Sequence, residues 1–175
     1  MNFQYPVFWP QFYTATIQNW KHLLKDDSFK EIIIDSLQYL TNKKIVSLDA
    51  FVIMSNHIHL IWQAQFGFTP SAIQSSFMKY TAGRFKKKLK LEFPELLESY
   101  KVNKYDREYQ FWKRDPLGIE IFTTDVFWQK LNYIHENPVR AGIVNFPYEY
   151  RYSSARFYEY YEDEFGILTA RNNIN

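Results

Sequence analysis

The sequence contains no cysteine among its 175 residues. This absence excludes disulfide bonds and thiolate metal sites, and it is typical of proteins of the reducing cytoplasm. No uninterrupted apolar run approaches the roughly 20 residues that a bilayer-spanning helix needs, so we expect no membrane contact. The opening stretch MNFQYPVFWPQFY has no basic flank followed by an apolar core, so no signal peptide is predicted. The sequence therefore predicts a cytoplasmic protein.

Net charge is also small, at +2, but the charges are unevenly distributed. Eleven of the 21 lysines and arginines lie between Lys79 and Arg114, together with only five acidic residues, which gives a local excess of +6 and leaves −4 elsewhere. A concentrated basic segment is typical of proteins that bind the phosphate backbone of nucleic acids. A solvated, lysine-rich helix face gives the same pattern, so charge alone leaves both interpretations open.

The hydrophobic patterning predicts a mixture of strands and helices. Strands are predicted over 12–17, 45–54 and 57–63, helices over 28–44, 70–91 and 123–137, and a hairpin near 109–122. We expect Ser28 to cap the first helix and Pro138 to end the third. This order predicts an α+β fold, with an antiparallel sheet flanked by helices. Since no repeat or linker interrupts it, we expect one domain over 1–160 and a tail over 161–175.

Histidine is scarce, with four in the chain, yet two of them alternate within the strand-like segment FVIMSNHIHLIWQ of residues 51–63. In a strand, His57 and His59 point to one face, about 6.5–7 Å apart, while Ile58 and Leu60 point to the other. Two neighbouring imidazoles without cysteine indicate an open divalent-metal site rather than a closed structural zinc site. An isolated His-x-His pair is equally compatible with a structural role.

The third predicted helix carries polar residues on the side opposite its apolar stripe. Tyr133 and Asn137 are four residues apart and therefore neighbours on this surface, with Lys130 one turn earlier. A phenol, an amide and an ammonium group in this arrangement could meet a metal-bound phosphate. In a chain with 14 tyrosines, most tyrosines serve packing or lie on the surface, so Tyr133 alone decides nothing.

Together these motifs resemble the single-tyrosine HUH transposases, and among them the REP-associated tyrosine transposases. The resemblance is carried by MSNHIHLIW at 54–62 and by KLNYIHENPVRAG at 130–142. It extends over nearly the whole chain, including FMKYTAGRFKKKL at 77–89 and YRYSSARFY at 150–158.

The resemblance implies a ferredoxin- or RRM-like sheet and a transposase that cleaves and rejoins single-stranded DNA beside hairpins. It implies a divalent metal, Mg²⁺ or Mn²⁺, held by His57 and His59, and a 5′-phosphotyrosine intermediate on Tyr133. Many relatives have a glutamine ligand where this chain has the shorter Asn137, which we expect to be a third metal ligand. A domesticated hairpin-binding protein without transposition activity is the alternative. Relatives include monomers and homodimers, and the sequence does not choose between them.

The helix over 70–91 is expected to grip DNA through its cations. The residues predicted to contact DNA are Lys79, Arg84, Lys86, Lys87, Lys90, Lys130 and Arg140. Arg140 is equally suited to capping the end of the third helix. Candidates for stacking on unpaired bases are Tyr80, Tyr105, Tyr109 and Trp112, with core packing as the alternative for Trp112.

Overall fold

The computed structural model describes residues 8–169. The strands are β1 (Gln11–Thr16), β2 (Val46–Ile53), β3 (His57–Ala64), β4 (Lys101–Lys104), β5 (Arg107–Tyr109) and β6 (Leu117–Glu120). The helices are α1 (Asp27–Asn42), α2 (Pro70–Glu92), α3 (Pro94–Glu98), α4 (Thr124–Arg140) and α5 (Ala155–Tyr160). Within this part of the chain, no helix has the length and apolar character needed to cross a bilayer.

The main sheet has four antiparallel strands in the order β2-β3-β1-β6. With α1 between β1 and β2, and α2 between β3 and β6, the connectivity is the β-α-β-β-α-β pattern of ferredoxin-like folds. A tight turn at Ser55 and Asn56 joins β2 to β3, closed by a 2.9 Å hydrogen bond from the Met54 N–H to the His57 carbonyl. The predicted α+β fold with helices flanking an antiparallel sheet is confirmed.

The two faces of the main sheet are covered by different helices. Buried apolar residues of α1 and α2 form the larger core cluster with the side chains that β1, β2 and β3 direct to that face. On the opposite face, Phe127, Leu131 and Ile134 of α4 pack against Phe12 and Ile61. Helix α4 is therefore additional to the ferredoxin-like unit, and with Tyr150 and Tyr158 of the following segment it covers part of the face to which His57 and His59 point.

The first helix begins one residue earlier than predicted, and its cap is different. Asp26, not Ser28, is the N-cap, because its Oδ1 accepts hydrogen bonds from the Ser28 N–H at 2.8 Å and from the Ser28 hydroxyl at 2.7 Å. Both residue types suit this position, and the carboxylate adds a favourable interaction with the helix dipole. The prediction of a helix here is confirmed, and the prediction of its cap is wrong.

The predicted hairpin near 109–122 does not form. Strand β5 pairs with the preceding strand β4 in an antiparallel hairpin, whereas β6 joins the edge of the main sheet beside β1. What places the β6 segment is its pairing with β1, a strand about a hundred residues away. Local patterning cannot show such a distant partner.

Pro138 does not end the third long helix. Helix α4 runs to Arg140, with Pro138 buried inside it, and ends where the Gly142 N–H bonds to the Val139 carbonyl at 2.9 Å. Proline removes one helical hydrogen bond, but its fixed φ is compatible with helical backbone, and here its ring is buried in packing. The extension places Arg140 on α4 itself.

Residues 161–169, predicted as the start of a tail, run back over the sheet. Ile167 is 2% exposed in the larger core cluster, and the Thr169 N–H donates to the Leu48 carbonyl at 2.8 Å. The amide Nε2 of Gln38 donates to the Phe165 carbonyl at 3.0 Å. This stretch thus packs on the same core as the preceding residues. Residues 170–175 of the predicted tail, and residues 1–7 of the predicted domain, lie outside the described residues.

Candidate active site

Strand β3 presents the two imidazoles on the α4 face of the sheet. Ile58 and Leu60 are fully buried on the opposite face, as alternation predicts. His57 and His59 lie side by side with their ring centroids 4.9 Å apart. His59 is 5% exposed and His57 is half-buried, so both rings lie at the floor of a depression rather than on an open surface.

Hydrogen bonds from neighbouring residues fix the orientation of both imidazoles. In the register of β1 and β3, Thr14 lies opposite His59, and its Oγ1 is 2.7 Å from His59 Nδ1. His57 Nδ1 donates to Asn56 Oδ1 at 2.7 Å. In both rings the Nδ1 side is thereby engaged, which leaves Nε2 as the atom suited to ligation. The sequence did not identify Thr14 as a site residue, although its alternation with buried Tyr13 and Ala15 was a usable signal.

The surroundings of the two histidines favour the uncharged imidazole. Burial, together with the positive charges of His57, Arg140 and Lys130, lowers the pKa of His59 to about 3. Burial also lowers the pKa of His57, and a hydrogen bond with Asn137 partly opposes that effect. At neutral pH both rings are therefore neutral, which is the form that binds a metal ion.

Helix α4 brings Tyr133 directly to the histidines. Its ring centroid lies 5.3 Å from that of His59 and 5.9 Å from that of Phe12, in edge-on contacts, and the residue is 44% exposed. Lys130, Tyr133, Asn137 and Arg140 share one side of α4, because their spacings of three and four residues match the helical repeat. The helix therefore delivers a phenol, an amide and two cations to one place.

The two cations of α4 are positioned differently around Tyr133. The guanidinium Cζ of Arg140 lies 4.5 Å from the centroid of the Tyr133 ring, and its Nη2 donates to the Tyr133 carbonyl at 2.9 Å. Lys130 Nζ lies 4.9 Å from the centroid of the Phe12 ring. Arg140 therefore both bonds to the backbone of α4 and faces the phenol. Its contact with DNA stays a prediction.

These residues line a pocket of about 660 Å³, here called the histidine pocket. Its lining comprises Phe12, Thr14, Thr16, Trp20, His57, His59, Leu117, Ile119, Lys130, Tyr133, Asn137, Arg140 and Ala141. All four residues predicted as nucleophile or metal ligands are among them. Trp20, Thr16 and Leu117 were not predicted, since they reach the pocket through strand pairing and a loop that carry no local motif.

The cations of α2 are not in the histidine pocket. Helix α2 covers the other face of the sheet, where Lys79 and Lys86 line a groove of about 610 Å³. This surface, here called the α2 groove, also includes Arg107, Lys113 and Arg114. Arg84 and Lys87 instead face α1, where Glu31 and Asp35 lie, and Lys90 is exposed near the end of α2. The predicted DNA-binding residues thus form separate surfaces.

Of the stacking candidates, Trp112 belongs to the core. It is 6% exposed, and its Nε1–H donates to Thr81 Oγ1 at 2.9 Å. Tyr109 lines the α2 groove, the hydroxyl of Tyr80 accepts a hydrogen bond from Arg84, and Tyr105 is fully exposed between β4 and β5. None of these four aromatic side chains lines the histidine pocket.

The donor set of the histidine pocket fits a divalent ion with an incomplete protein shell. Among residues 8–169, no three or more His, Cys, Asp or Glu side chains are grouped as metal ligands. The pocket offers two neutral imidazoles and the amide oxygen of Asn137, so further positions would fall to water or to phosphate oxygens. The amide, water and phosphate oxygens are the donors that suit Mg²⁺ or Mn²⁺, and the two imidazoles leave room for them in an open site.

Comparison with known proteins identifies the family. Residues 8–130 match the family described as IS200-like transposases, a stretch that includes both histidines of the pocket and ends three residues before Tyr133. No protein of curated function matches the sequence.

A solved structure has the same fold. The REP-associated tyrosine transposase bound to a REP hairpin is similar with a TM-score of 0.64 and 15% identity, over 98% of this chain and 93% of that one. A candidate transposase from Deinococcus radiodurans R1 has a TM-score of 0.48 and 16% identity, over 75% of this chain and 92% of that one. The first likeness establishes the fold, and the family match covers more than half of the sequence. The chain is a member of the IS200-like transposase family, with the fold of a REP-associated tyrosine transposase.

Proposed function

We propose that this transposase binds, cleaves and rejoins single-stranded DNA beside hairpins, with Tyr133 as the nucleophile. The observation that carries the proposal is the contact between Tyr133 and His59, whose ring centroids are 5.3 Å apart in one pocket. The fold neighbour was solved with a REP hairpin bound, which supports hairpin DNA as the class of ligand. The histidines and the phenol come from different elements and meet at a partly exposed surface.

In the proposed reaction, Tyr133 Oη attacks the scissile phosphorus. A bond forms between Oη and phosphorus, the bond from phosphorus to the 3′ oxygen breaks, the phenol loses its proton and the released 3′ hydroxyl gains one. The product is a 5′-phosphotyrosine link that keeps the ester energy, so the reverse attack by a 3′ hydroxyl rejoins DNA without ATP. Lys130 and Arg140 stabilise the negative charge that develops on the phosphate.

His57, His59 and Asn137 are the residues that would hold the metal. A bound Mg²⁺ or Mn²⁺ ion would neutralise the charge of the phosphate and orient it. Asn56 and Thr14 keep the two imidazole rings turned toward the pocket through their 2.7 Å hydrogen bonds. Burial keeps both rings unprotonated at neutral pH.

The proposed DNA surface extends beyond the pocket. The α2 groove gathers Lys79, Lys86, Arg107, Lys113 and Arg114 against Glu108 as the one acidic residue in its lining. Such a surface binds phosphates without reading sequence, as the stem of a hairpin requires. Positive charge elsewhere on α2 comes from Arg84, Lys87 and Lys90. These residues would contribute to DNA binding less directly.

The test is incubation with single-stranded hairpin DNA and Mn²⁺, followed by a denaturing gel that detects a protein–DNA adduct. The wild type should form the adduct, and Tyr133→Phe should abolish it while keeping hairpin affinity within about twofold. Tyr161→Phe is the matched control, because Tyr161 is 88% exposed beyond α5 and lies outside the histidine pocket. An adduct that persists in Tyr133→Phe would refute the nucleophile, and hairpin binding by the wild type without cleavage under any divalent metal would favour the domesticated binding protein.

A further inference from the structure

Trp20 is an exposed aromatic residue at the edge of the histidine pocket. It is 58% exposed and lines the pocket together with Thr16, His57 and Arg140. A large apolar ring left in solvent beside a proposed reaction centre contributes little to the core. We propose that Trp20 is a stacking platform for an unpaired base next to the scissile phosphate, an inference that rests on the proposed function.

The backbone at Trp20 is held in a conformation that disfavours tryptophan. Asn19 and Trp20 both have φ of +57°, in the left-handed region that bulky side chains rarely adopt. Strained residues of this kind persist when the surrounding structure enforces them, and they cluster at functional sites. Glycine would accept this backbone more readily, so the backbone conformation itself disfavours a tryptophan here.

Hydrogen bonds hold the Trp20 backbone beside the turn that precedes β3. The Trp20 N–H donates to the Ile17 carbonyl at 2.9 Å. Asn56 bridges Trp20 and His57, since its Nδ2 donates to the Trp20 carbonyl at 3.4 Å while its Oδ1 accepts from His57 Nδ1 at 2.7 Å. The same amide therefore positions the tryptophan backbone and one imidazole. A base stacked on Trp20 would be held in a fixed relation to the histidine pair.

Lys113 supplies a cation beside the ring. Its Nζ lies 5.9 Å from the centroid of the Trp20 ring, and its N–H donates to the Thr16 carbonyl at 2.7 Å. Lys113 also lines the α2 groove. A nucleotide stacked on Trp20 would therefore find a phosphate contact at Lys113, on the route from the α2 groove to the histidine pocket.

This arrangement selects for single-stranded DNA at the pocket. Bases in a duplex are already stacked on their neighbours and offer no free face to an aromatic side chain, whereas unpaired bases do. Stacking on one aromatic ring tolerates any base, so Trp20 would discriminate strandedness and not sequence. The sequence specificity of the reaction would come from other residues.

The test compares Trp20→Ala, Trp20→Phe and Trp20→Gly with the wild type in binding a short oligothymidylate, by fluorescence anisotropy, and in forming the adduct. Alanine and glycine should weaken binding about ten- to hundredfold and slow adduct formation, and phenylalanine should keep most of both. Trp128→Ala is the control, since Trp128 is 46% exposed on α4 and contacts Phe127 and Tyr158 outside the pocket. It should bind and react as the wild type does.

Stability separates a stacking role from a structural one. Because glycine accepts the left-handed backbone, Trp20→Gly should have an unfolding midpoint in urea equal to or above that of the wild type. Wild-type affinity in Trp20→Ala, or a loss of stability in Trp20→Gly that accounts for its weaker binding, would overturn the inference. If the wild type forms no adduct yet its oligothymidylate affinity depends on Trp20, the proposed reaction fails while the platform stands.

Discussion

At the scale of single residues, the candidate site depends on side chains that orient the two histidines. Thr14 reaches His59 only because β1 and β3 pair in a register that sets these two residues opposite each other. Its hydroxyl is 2.7 Å from Nδ1, which fixes the ring rotation and the side of the ring that faces the pocket. Hydrogen-bond partners of this kind tune metal affinity through the ligand they orient.

Thr14→Val should therefore weaken metal binding while leaving the fold intact. Valine has the same shape but cannot hydrogen-bond to Nδ1, so His59 loses the contact that orients its ring, and we expect Mn²⁺ affinity to fall by about 10- to 100-fold. Isothermal titration with Mn²⁺ measures this without any DNA. Thr16→Val is the matched control, because Thr16 lies opposite His57 and lines the same pocket. Equal losses in the two variants would show that pocket polarity, and not the hydrogen bond, sets the affinity.

At the scale of elements, α4 shows what the sequence could and could not predict. The apolar stripe correctly predicted that Phe127 faces the core and Tyr133 does not, because helical periodicity is a local signal. Pro138 was read as the end of the helix, although burial of its ring compensates for the missing hydrogen bond. The helix consequently runs one turn further and holds Arg140 on the same side as Tyr133.

Features that depend on distant strands escaped prediction for a physical reason. Alternation shows the face on which Thr14 lies, but its partner His59 and the place of β6 depend on pairing between segments far apart in sequence, which no local pattern encodes. Trp20 reaches the pocket through the turn that follows β1. The α2 cations were predicted to bind DNA from charge density alone. Charge density does not tell which face of the sheet a helix covers, and α2 lies opposite the histidines.

Two glycines at helix positions should respond to alanine in opposite directions. Gly142 follows α4 with φ of +70°, and Gly83 lies within α2, where its neighbours leave open space for a Cβ atom. Gly142→Ala should lower the free energy of unfolding by about 1 kcal/mol, since alanine disfavours the left-handed region. Gly83→Ala should raise it by about 0.5–1 kcal/mol through helix propensity. Urea denaturation measures both, and a stabilising Gly142→Ala would contradict the left-handed end of α4.

At the scale of the whole molecule, buried histidines make stability depend on pH. His135 Nε2 is 2.9 Å from the Ser154 hydroxyl, and the same hydroxyl accepts a hydrogen bond from the Phe51 N–H at 3.0 Å. Ser154 therefore links His135 of α4 to β2. Burial lowers the pKa of His135 to about 4 and, with nearby charges, that of His59 to about 3, and it lowers that of His57 as well.

Stability should accordingly fall on acidification below about pH 6.5, the value for histidine in an unfolded chain. Between about pH 6.5 and the lowered histidine pKa values, the unfolded state binds more protons than the folded state. Acidification therefore lowers the free energy of unfolding by up to about 1.4 kcal/mol per pH unit for each histidine. Urea denaturation between pH 7.5 and 5, with a chelator present, measures the slope. His135→Gln should reduce the slope, and His22→Gln, at an exposed position, should not. Stability that is constant over this range would contradict the burial of neutral histidines.

The two candidate DNA surfaces lie on opposite faces of the sheet and meet near Lys113, which sits beside Trp20 and also lines the α2 groove. A hairpin stem in the groove and its single-stranded flank in the histidine pocket would therefore be bound by separate groups of residues. Changes in the groove should then alter affinity for the stem without altering the chemical step. Substitutions in the histidine pocket should slow the chemical step without altering affinity for the stem.

Lys79→Gln and Lys86→Gln test whether the α2 groove serves stem binding and not the chemical step. Each should reduce the slope of log affinity against log salt by about 1 for a hairpin substrate, since each removes one phosphate contact and its released counterion. At saturating DNA the rate of adduct formation should equal that of the wild type, because neither lysine lines the histidine pocket. Lys43→Gln, at an exposed position after α1, is the control. An unchanged salt slope with a slower adduct would place these lysines in the reaction itself, and DNA would then have to follow a path other than the one through Lys113.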